Sequence, residues 1–321
     1  MDLISAARRT GRALRQEVIK MALPTIPSTQ VVYTMSPHNA PAARCASGDT
    51  LCFETLDCFG GQITSPDQRL GGLDWDHINP ATGPLYVEGA RPGDVLRVEI
   101  LDIALADHGV MTDAPNEGVI GAMLTEESTR LLPIREGRAI LNERLSFPLR
   151  PMIGVIGTAP AEGPVPTGTP GPHGGNMDCK RIGTGAVLYL PVAVEGALLA
   201  MGDLHAAMGD GEVVVCGVEI AGRVTVRVTV LRDCPLPTPF LVTEEAFMTI
   251  SSASALHDAA ADATLRMREF LFRQVGLEEH DAGMVLSVAG DVRVCQMVDP
   301  QVTCRMEVPR TVADAYGYAF P

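Results

Sequence analysis

The chain has 321 residues and is acidic, with 39 aspartates and glutamates against 25 lysines and arginines, and 46% of its residues are hydrophobic. That hydrophobic fraction excludes an intrinsically disordered chain, and no apolar run reaches the roughly 18 residues that a membrane-spanning helix needs. The formal net charge of -14 disfavours nucleic acid and anionic membrane surfaces as partners and favours a neutral or cationic small molecule.

Glycine and proline are abundant, with 32 and 24 residues. This composition favours many short elements joined by turns over long helices. The length suits one large domain or two intimately packed β subdomains. These bulk properties already point to β structure.

Residues 1–24 are predicted to form an N-terminal extension, at most a frayed helix. The extension is rich in arginine but lacks the apolar core of roughly 7–15 residues that a secretory signal has, which predicts a cytoplasmic protein. The eight cysteines are scattered without a CxxC pair. This spacing predicts reduced and mostly buried thiols.

Five segments beyond the extension have the β-branched and alternating pattern of strands. They are residues 31–35, 51–59, 95–103, 185–194 and 213–231. Apolar residues at helical spacing predict a helix at 252–276, with Gly276 as its C-terminal cap, and a weaker helical pattern covers 121–132. The sequence therefore predicts a mainly β fold with a few helices, of the sandwich or barrel type.

A repeated pattern links two of the predicted strands. SGDTLCFETLD at 47–57 and PGDVLRVEILD at 92–102 share Gly-Asp-x-Leu-x-x-Glu-x-Leu-Asp at the same offsets. A tight Gly-Asp turn leading into a strand explains the second copy. The first copy runs into paired glycines, where a backbone can approach a ligand closely, so Glu54 and Asp57 are candidate functional residues.

The segment 157–178 is rich in proline and glycine and too long for an idle connector in a compact domain. Such loops usually carry function or are disordered. This one ends on His173, Asn176 and Asp178, three groups that can bind a metal or a substrate.

Four more polar residues are concentrated within ten positions: Asp203, His205, Asp210 and Glu212. On a strand, Asp203 and His205 project from one face, about 6.6 Å apart along the chain. A Gly-Asp-Gly turn follows, which places Glu212 at the mouth of a hairpin. These residues can share one site.

Such a set suits a hydrolytic metal site, because zinc is held by histidine nitrogen and carboxylate oxygen and keeps one position for water. A nearby free carboxylate, here Glu212, can accept the water proton. The candidate ligands are His173, Asp178, His205 and one of Asp203 or Asp210. No compact metal motif such as HExxH is present, so acidic turn residues that only hydrogen-bond locally are an open alternative. Among the other histidines, His77 is the one expected near the same cleft.

Five separated segments match one family pattern in order. They are TIPSTQ at 25–30, GDTLCFETLDCFGGQI at 48–63, NPATGPLYVEGARPGD at 79–94, GPHGGNMDCK at 171–180 and LPVAVEGALLAMGDLHAAMGDGE at 190–212. Together they resemble the acetamidase/formamidase family of amide hydrolases. The resemblance implies a catalytic domain over 25–310 followed by a C-terminal tail at 311–321.

The resemblance also implies an activity and partners. It implies hydrolysis of short aliphatic amides to a carboxylate and ammonia, by a homodimer or higher homo-oligomer. A divalent metal is implied, with zinc as the expected ion and calcium as the alternative. Neither nucleic acid nor a membrane is an expected partner.

Site residues follow from the matched segments and the chemistry above. The expected metal ligands are His173, Asp178, His205 and Asp203. The expected catalytic residues are Glu212, Asp210 and Glu54. The expected substrate-binding residues are Asn176, Gly174, Gly175 and Met208. Many family members carry glutamine where this chain has Met208, which puts a preference for formamide itself in doubt.

Two other functions stay open at this point. Cys179, between Asp178 and Lys180, could act as a nucleophile with Glu212 as its base, although adjacent strand residues face opposite sides. Alternatively, the chain is a non-catalytic β-rich protein that binds a small amide, and its acidic clusters serve only as turns.

Overall fold

The computed structural model describes residues 23–321, and within them the fold is mainly β, as the sequence predicts. All but the last two residues of the predicted extension 1–24 lie outside the described part. No helix within residues 23–321 is both long and apolar enough to cross a bilayer. The strands are numbered β1 to β22 in chain order.

The first sheet has nine strands, all antiparallel to their neighbours except the parallel pair at the β1 edge. Across the sheet they are β1 (Thr25–Ile26), β5 (Thr50–Thr55), β18 (Gly222–Leu231), β7 (Val95–Leu105), β15 (Val187–Pro191), β19 (Phe240–Val242), β20 (Ala246–Ala253), β22 (Val302–Pro309) and β21 (Asp291–Gln296).

The second sheet has eleven strands. Its main path is β11 (Ser146–Pro148), β10 (Arg138–Ile140), β9 (Ser128–Arg135), β8 (His108–Asp113), β17 (Glu219–Ile220), β16 (Leu199–His205), β12 (Met152–Gly157) and β14 (Gly174–Asn176). A branch from β16 consists of β6 (Ala81–Val87), β2 (Val31–Val32) and β4 (Ala43–Cys45). A separate two-stranded sheet pairs β3 (Thr34–Met35) with β13 (Val165–Pro166).

The main core contains buried side chains of both large sheets. In β18 the predicted alternation is present, with Val224, Val226 and Val228 fully buried. These valines share one apolar cluster with residues of the second sheet such as Leu199 and Met201. Burial of one face of each sheet against the other is the packing of a β sandwich.

Three helices cover a second, aromatic core on the nine-stranded sheet: α1 (Leu256–Phe270), α2 (Glu279–Ala289) and α3 (Arg310–Ala315). The predicted helix at 252–276 is thus confirmed in position, since α1 continues through a π-helical turn, Leu271–Val275, to Gly276 at φ 91°. Helix α2 was not predicted, because its apolar pattern is weak. Helix α3 lies largely in the predicted C-terminal tail.

Two sequence-based predictions of elements are wrong. Residues 121–132 do not form a helix: a short 3₁₀ turn at Gly121–Met123 is followed by β9, which pairs with β8. The predicted strand 213–231 is two strands in different sheets, β17 and β18, separated by Ala221. Local propensity could not distinguish these outcomes, because cross-strand pairing decides them.

Candidate active site

Strand β16 forms the floor of the site. All seven of its residues are buried, and it pairs with β12, β17 and β6. Asp203 and His205 lie at its C-terminal end, two positions apart, and their side chains meet with Asp203 Oδ1 3.4 Å from His205 Nε2. The sequence-based expectation that these two residues share a face is met.

Four carboxylates surround the imidazole of His205. From Nε2 the distances are 3.1 Å to Glu219, 3.4 Å to Asp203, 3.7 Å to Asp178 and 3.8 Å to Glu212. Each of the four carboxylate residues is 6% exposed or less. We call these five residues the His205 cluster. Buried acids at this density have no counterpart in a surface turn, so local capping does not account for them.

Three residues of the cluster have strained backbone. Asp178, Asp203 and Glu212 lie in the left-handed region, at φ 42°, 55° and 48°. Residues other than glycine reach this region at a cost of about 1–2 kcal/mol each. Such outliers persist where surrounding structure enforces them, and they concentrate at functional sites.

The charges of the cluster are strongly coupled. Burial alone would lower the pKa of His205, but the carboxylates of Glu219 and Asp203 raise it well above its ordinary value. Burial opposes ionisation of Asp203 as well, yet the facing His205 brings the pKa of Asp203 below its ordinary value. His205 and Asp203 therefore form a charged pair at the centre of the cluster.

Burial opposes ionisation of the other three carboxyl groups. Burial raises the pKa of Asp178 to about 7, aided by Asp203, and that of Glu219 to about 8. Burial, followed by repulsion from Asp178, raises the pKa of Glu212 well above its ordinary value. One imidazolium is thus too little positive charge for four carboxylates, and a divalent cation would supply the rest.

Several buried polar atoms of the cluster and of the segment at β14 have no hydrogen-bond partner among the described residues. They are both carboxylate oxygens of Asp178, Oε2 of Glu219, Oδ1 of Asn176 and Nε2 of His173. An unpaired buried polar atom costs about 1–3 kcal/mol, so such a concentration is typical of a site that a ligand completes.

Gly154 on β12 keeps space open between two of the acids. A Cβ at this position would lie 2.4 Å from both Asp178 Oδ1 and Asp203 Oδ2. Two groups of potential ligands bring their donor atoms within 4.8 Å of one another: Asp178, His205 and Glu212, and Cys58, Asp203 and Glu219. Imidazole nitrogen with carboxylate oxygens is a donor set for zinc, whereas calcium takes oxygen alone. The residues present therefore fit a divalent metal.

Asn176 and Asp299 form one side of the site. Asn176 Nδ2 donates to Asp299 Oδ2 at 2.8 Å. Asp299 is held in turn by Gln296, whose Oε1 accepts from the Asp299 backbone N–H at 3.1 Å. Burial and then the neighbouring Asp178 raise the pKa of Asp299 well above its usual value. The Asn176 amide is thus fixed in orientation and leaves its Oδ1 free.

A cavity of about 510 Å³ adjoins the cluster. Glu212 and Met208 lie in its wall, and Met208 Sδ is 3.2 Å from His205 Nδ1. Most of the remaining wall is apolar, from Met111, Phe147 and the valines at 213, 214 and 218. A substrate in the cavity would reach the cluster past Glu212.

The profile of the acetamidase/formamidase family matches residues 29–165 and 161–315, which is most of the chain. The chain belongs to this family. Its sequence-based resemblance to the family is thereby confirmed.

Relatives and solved structures agree with this membership. An acetamidase structure from Bacillus halodurans has a TM-score of 0.90 at 50% identity and covers 91% of this chain and 99% of its own. A predicted acetamidase/formamidase from Thermoanaerobacter tengcongensis gives 0.90 at 44% identity, covering 92% and 98%. A formamidase of Methylophilus methylotrophus is 30% identical over 251 residues, 60% of this chain and 61% of that protein. The chain spans about three fifths of the curated relatives it matches.

Two predicted catalytic acids of this acetamidase/formamidase-family chain lie elsewhere. Asp210 accepts from both terminal nitrogens of Arg305 at 2.8 and 3.0 Å and pairs with Lys180 at 3.0 Å. Glu54 pairs with Arg223 at 3.5 Å and is partly exposed. Among the described residues, neither Asp210 nor Glu54 has a carboxylate within 4 Å of His205. Their structural contacts favour ion pairing over catalysis.

The loop before β14 places His173 apart from the carboxylates. Its ring is buried against Gly171 and Gly175, and burial lowers its pKa to about 4. Within residues 23–321, no carboxylate oxygen lies within 4 Å of its ring nitrogens. Gly174 N–H donates to the Gly171 carbonyl at 3.0 Å, so this donor is already used. Of the two glycines expected to bind substrate, Gly174 therefore has no free backbone N–H to offer.

Three other candidates, Cys179, His77 and Asp57, are not part of the cavity wall. Cys179 is fully buried in the main core, which gives the thiol no access to a substrate. His77 is exposed and its Nδ1 lies 2.6 Å from Asp74. Asp57, the neighbour of Cys58, accepts from the Gly61 N–H at 2.9 Å.

Sequence reasoning missed Glu219, Cys58 and Asp299. Glu219 interrupts an otherwise apolar run, VVVCGVEI, and a lone acid in such a run is a usable signal of a buried functional group. Cys58 directly follows the candidate Asp57. Asp299 gives no local signal, because only the pairing of β21 with β22 brings its loop to Asn176.

Proposed function

We propose that this protein hydrolyses the C–N bond of linear primary amides, with water, to a carboxylate and ammonia. The observation that carries the proposal is the His205 cluster, whose buried and unpaired carboxylates open through Glu212 onto a cavity of about 510 Å³. Family membership and relatives named acetamidase and formamidase support the same reaction.

A divalent cation, zinc in preference to calcium, belongs to the proposal. Asp178, Asp203 and His205 would hold it through one imidazole nitrogen and two carboxylates, which are donor types that zinc takes in proteins. His173 is a fourth candidate because its buried Nε2 has no partner. When bound, such a cation acts as a Lewis acid and lowers the pKa of water.

Glu212 is proposed as the group that moves the proton. Its carboxyl lies 3.8 Å from His205 Nε2 and in the cavity wall, and a cation bound beside it would favour the ionised carboxylate, which can accept a proton. It takes a proton from the attacking water and returns it to the departing nitrogen, which leaves as ammonia. Asn176 Oδ1 is free to accept an N–H of the substrate amide and so to orient it.

The test is ammonia release from acetamide and formamide, measured on protein treated with a chelator and then reloaded with zinc or calcium. We expect zinc to restore turnover and Glu212→Gln to lower kcat by about 100-fold or more. Glu195→Gln, an exposed acid outside the cavity, is the matched control. Turnover that survives the chelator, or a Glu212→Gln variant as active as the control, would contradict the proposed mechanism.

The assembly and the compartment are predictions from sequence alone. A homo-oligomer and a cytoplasmic location follow from the family resemblance and from the composition. Size-exclusion chromatography with light scattering tests the first directly.

A further inference from the structure

The cavity beside Glu212 is much larger than formamide or acetamide. If each non-hydrogen atom takes about the 30 Å³ that a water molecule occupies in the liquid, acetamide needs roughly 120 Å³. The cavity offers about 510 Å³. That volume lies in the range of about 300–1,000 Å³ that binds ligands of considerably greater size.

The wall of the cavity is apolar on three separate elements. Met111 comes from β8, Phe147 from β11, and Met208, Val213 and Val214 from the loop between β16 and β17. Apolar walls of this kind bind hydrocarbon, which gains about 0.8 kcal/mol for each CH₂ group removed from water.

Two of these wall residues are unusually exposed for large apolar side chains. Phe147 is 44% exposed and Val213 is also 44% exposed. The charged side chains of the wall are Glu212, at the cluster, and Arg150, which is exposed. The cavity is therefore polar where the amide would react and apolar along the remainder.

The position of Met208 separates these two regions. Its sulfur contacts His205 Nδ1 at 3.2 Å, and the same side chain forms part of the apolar wall. A methionine here adds soft apolar surface next to the reacting group rather than a hydrogen-bond donor. An acyl chain that extends from an amide bound at the cluster would contact Met208 first.

We propose that this cavity is an acyl-binding site and that the preferred substrates are primary amides with an apolar acyl group of about four to eight carbons. The inference rests on the proposed amide hydrolysis and adds the substrate class. The amide carbon lies at the His205 cluster and the hydrocarbon chain contacts Met208, Phe147 and Val213.

The test compares kcat/KM for formamide, acetamide, butyramide, hexanamide and the monoamide of adipic acid, which ends in a carboxylate. We expect kcat/KM to rise about fourfold for each methylene group up to hexanamide. If kcat/KM stays constant or falls for amides longer than acetamide, the acyl site is wrong and the amidase proposal still holds. Turnover of none of the amides would instead overturn the proposed function. A preference for the carboxylate-ended amide over hexanamide would replace the apolar assignment by one centred on Arg150.

Variants of cavity residues test whether the preference for longer acyl chains arises in the cavity. Phe147→Ala should lower the ratio of kcat/KM for hexanamide to that for acetamide by about fivefold or more, because it removes a contact of the chain. Leu145→Ala is the matched control, since Leu145 is 50% exposed on the same segment but outside the cavity wall.

Val213→Trp, which fills the cavity, should also lower the ratio of kcat/KM for hexanamide to that for acetamide. Its control is Val292→Trp, on a valine of β21 that is 49% exposed and outside the cavity wall. Equal ratios in variant and control would exclude the acyl site.

Discussion

At the scale of single residues, the site is defined by buried acidic groups whose negative charge the protein does not fully balance. His205 is one cation facing four buried carboxylates, and Asp178 has two oxygens without a partner. Groups removed from water in this way raise the free energy of the folded chain unless a ligand compensates them. The groups that are proposed to act on the amide therefore destabilise the metal-free protein.

Gly154 is the residue where this arrangement is most sensitive to a single methyl group. Gly154→Ala would place Cβ at 2.4 Å from oxygens of Asp178 and Asp203 and push the two carboxylates apart. We expect the bound metal per protein to fall at least about tenfold, with a matching loss of kcat. Gly72→Ala, at a glycine with open space around it, is the control. Full metal content in Gly154→Ala, measured by atomic emission, would refute the role given to this glycine.

His173 should make the metal-free protein sensitive to acid. Its pKa falls from 6.5 to about 4 on folding because the ring is buried. Between these values the unfolded chain binds a proton that the folded chain does not, so its contribution to stability is present above pH 6.5 and is lost as the pH falls toward 4. The loss is roughly 3 kcal/mol.

The measurement is urea unfolding of chelator-treated protein at several pH values. His173→Gln should flatten the dependence of the unfolding free energy on pH by about one proton between pH 6.5 and 4. His280→Gln, at an exposed histidine of α2, should show the same slope of unfolding free energy against pH as the wild type. An unchanged slope in His173→Gln would show that another group titrates.

At the scale of elements, the helices matter to stability rather than to the site. Helix α1 packs Phe270 against four aromatic rings, those of Phe240, Phe247, Tyr318 and Phe320, with centroids 4.9–6.3 Å away. Phe270 is 2% exposed. Phe270→Ala should therefore lower the free energy of unfolding by about 3–5 kcal/mol, as measured by urea denaturation.

The matched control on the same helix is Leu265→Ala, because Leu265 is 67% exposed. Its effect should stay within about 0.5 kcal/mol. Below the unfolding transition, both variants should hydrolyse amides at the rate of the wild type, since the helices lie on the aromatic core away from the His205 cluster. A selective loss of kcat in Phe270→Ala would link the helices to catalysis.

Element positions were predictable where the local pattern is unambiguous. The valine alternation of β18 and the apolar spacing of α1 with Gly276 both follow from the chain alone. The division between β17 and β18 was not predictable, because a strand that changes sheet at Ala221 has the same local composition as one long strand. That division is what brings Glu219 to His205.

Site residues were predictable to a similar degree and for a similar reason. Asp203, His205 and Glu212 are close in sequence, and Asp178 follows a loop with the composition of a functional segment. Asp210 belongs to the same acidic cluster, yet Arg305, which is 95 positions away in sequence, pairs with it. A sequence pattern shows which acids are available but not which cation binds each of them.

At the scale of the whole molecule, Arg305 joins the two large sheets. It lies on β22 of the nine-stranded sheet, is 2% exposed, and binds Asp210 in the loop that follows β16 of the other sheet. Arg305→Met would leave Asp210 and Glu307 without this cation. We expect the free energy of unfolding to fall by about 3 kcal/mol.

Arg293→Met on the adjacent strand is the control for this prediction. Arg293 pairs with Asp291 at 2.9 Å, but its side chain is 52% exposed, so its loss should cost less than about 1 kcal/mol. Arg305→Lys should not restore the wild-type free energy of unfolding, since lysine cannot bind both oxygens of Asp210 in the planar geometry of arginine. Equal urea midpoints for Arg305→Met and Arg293→Met would contradict a joining role for Arg305.

The left-handed backbone at Asp178, Asp203 and Glu212 has a consequence for how the site can be lost during evolution. Aspartate and glutamate codons become glycine codons by one nucleotide change. Glycine at Asp178 or Glu212 would relieve backbone strain of about 1–2 kcal/mol and remove a buried acid at the same time, whereas glycine at Asp203 would leave the His205 imidazolium without its partner. A selection for thermal stability alone should therefore enrich glycine at positions 178 and 212 but not at position 203.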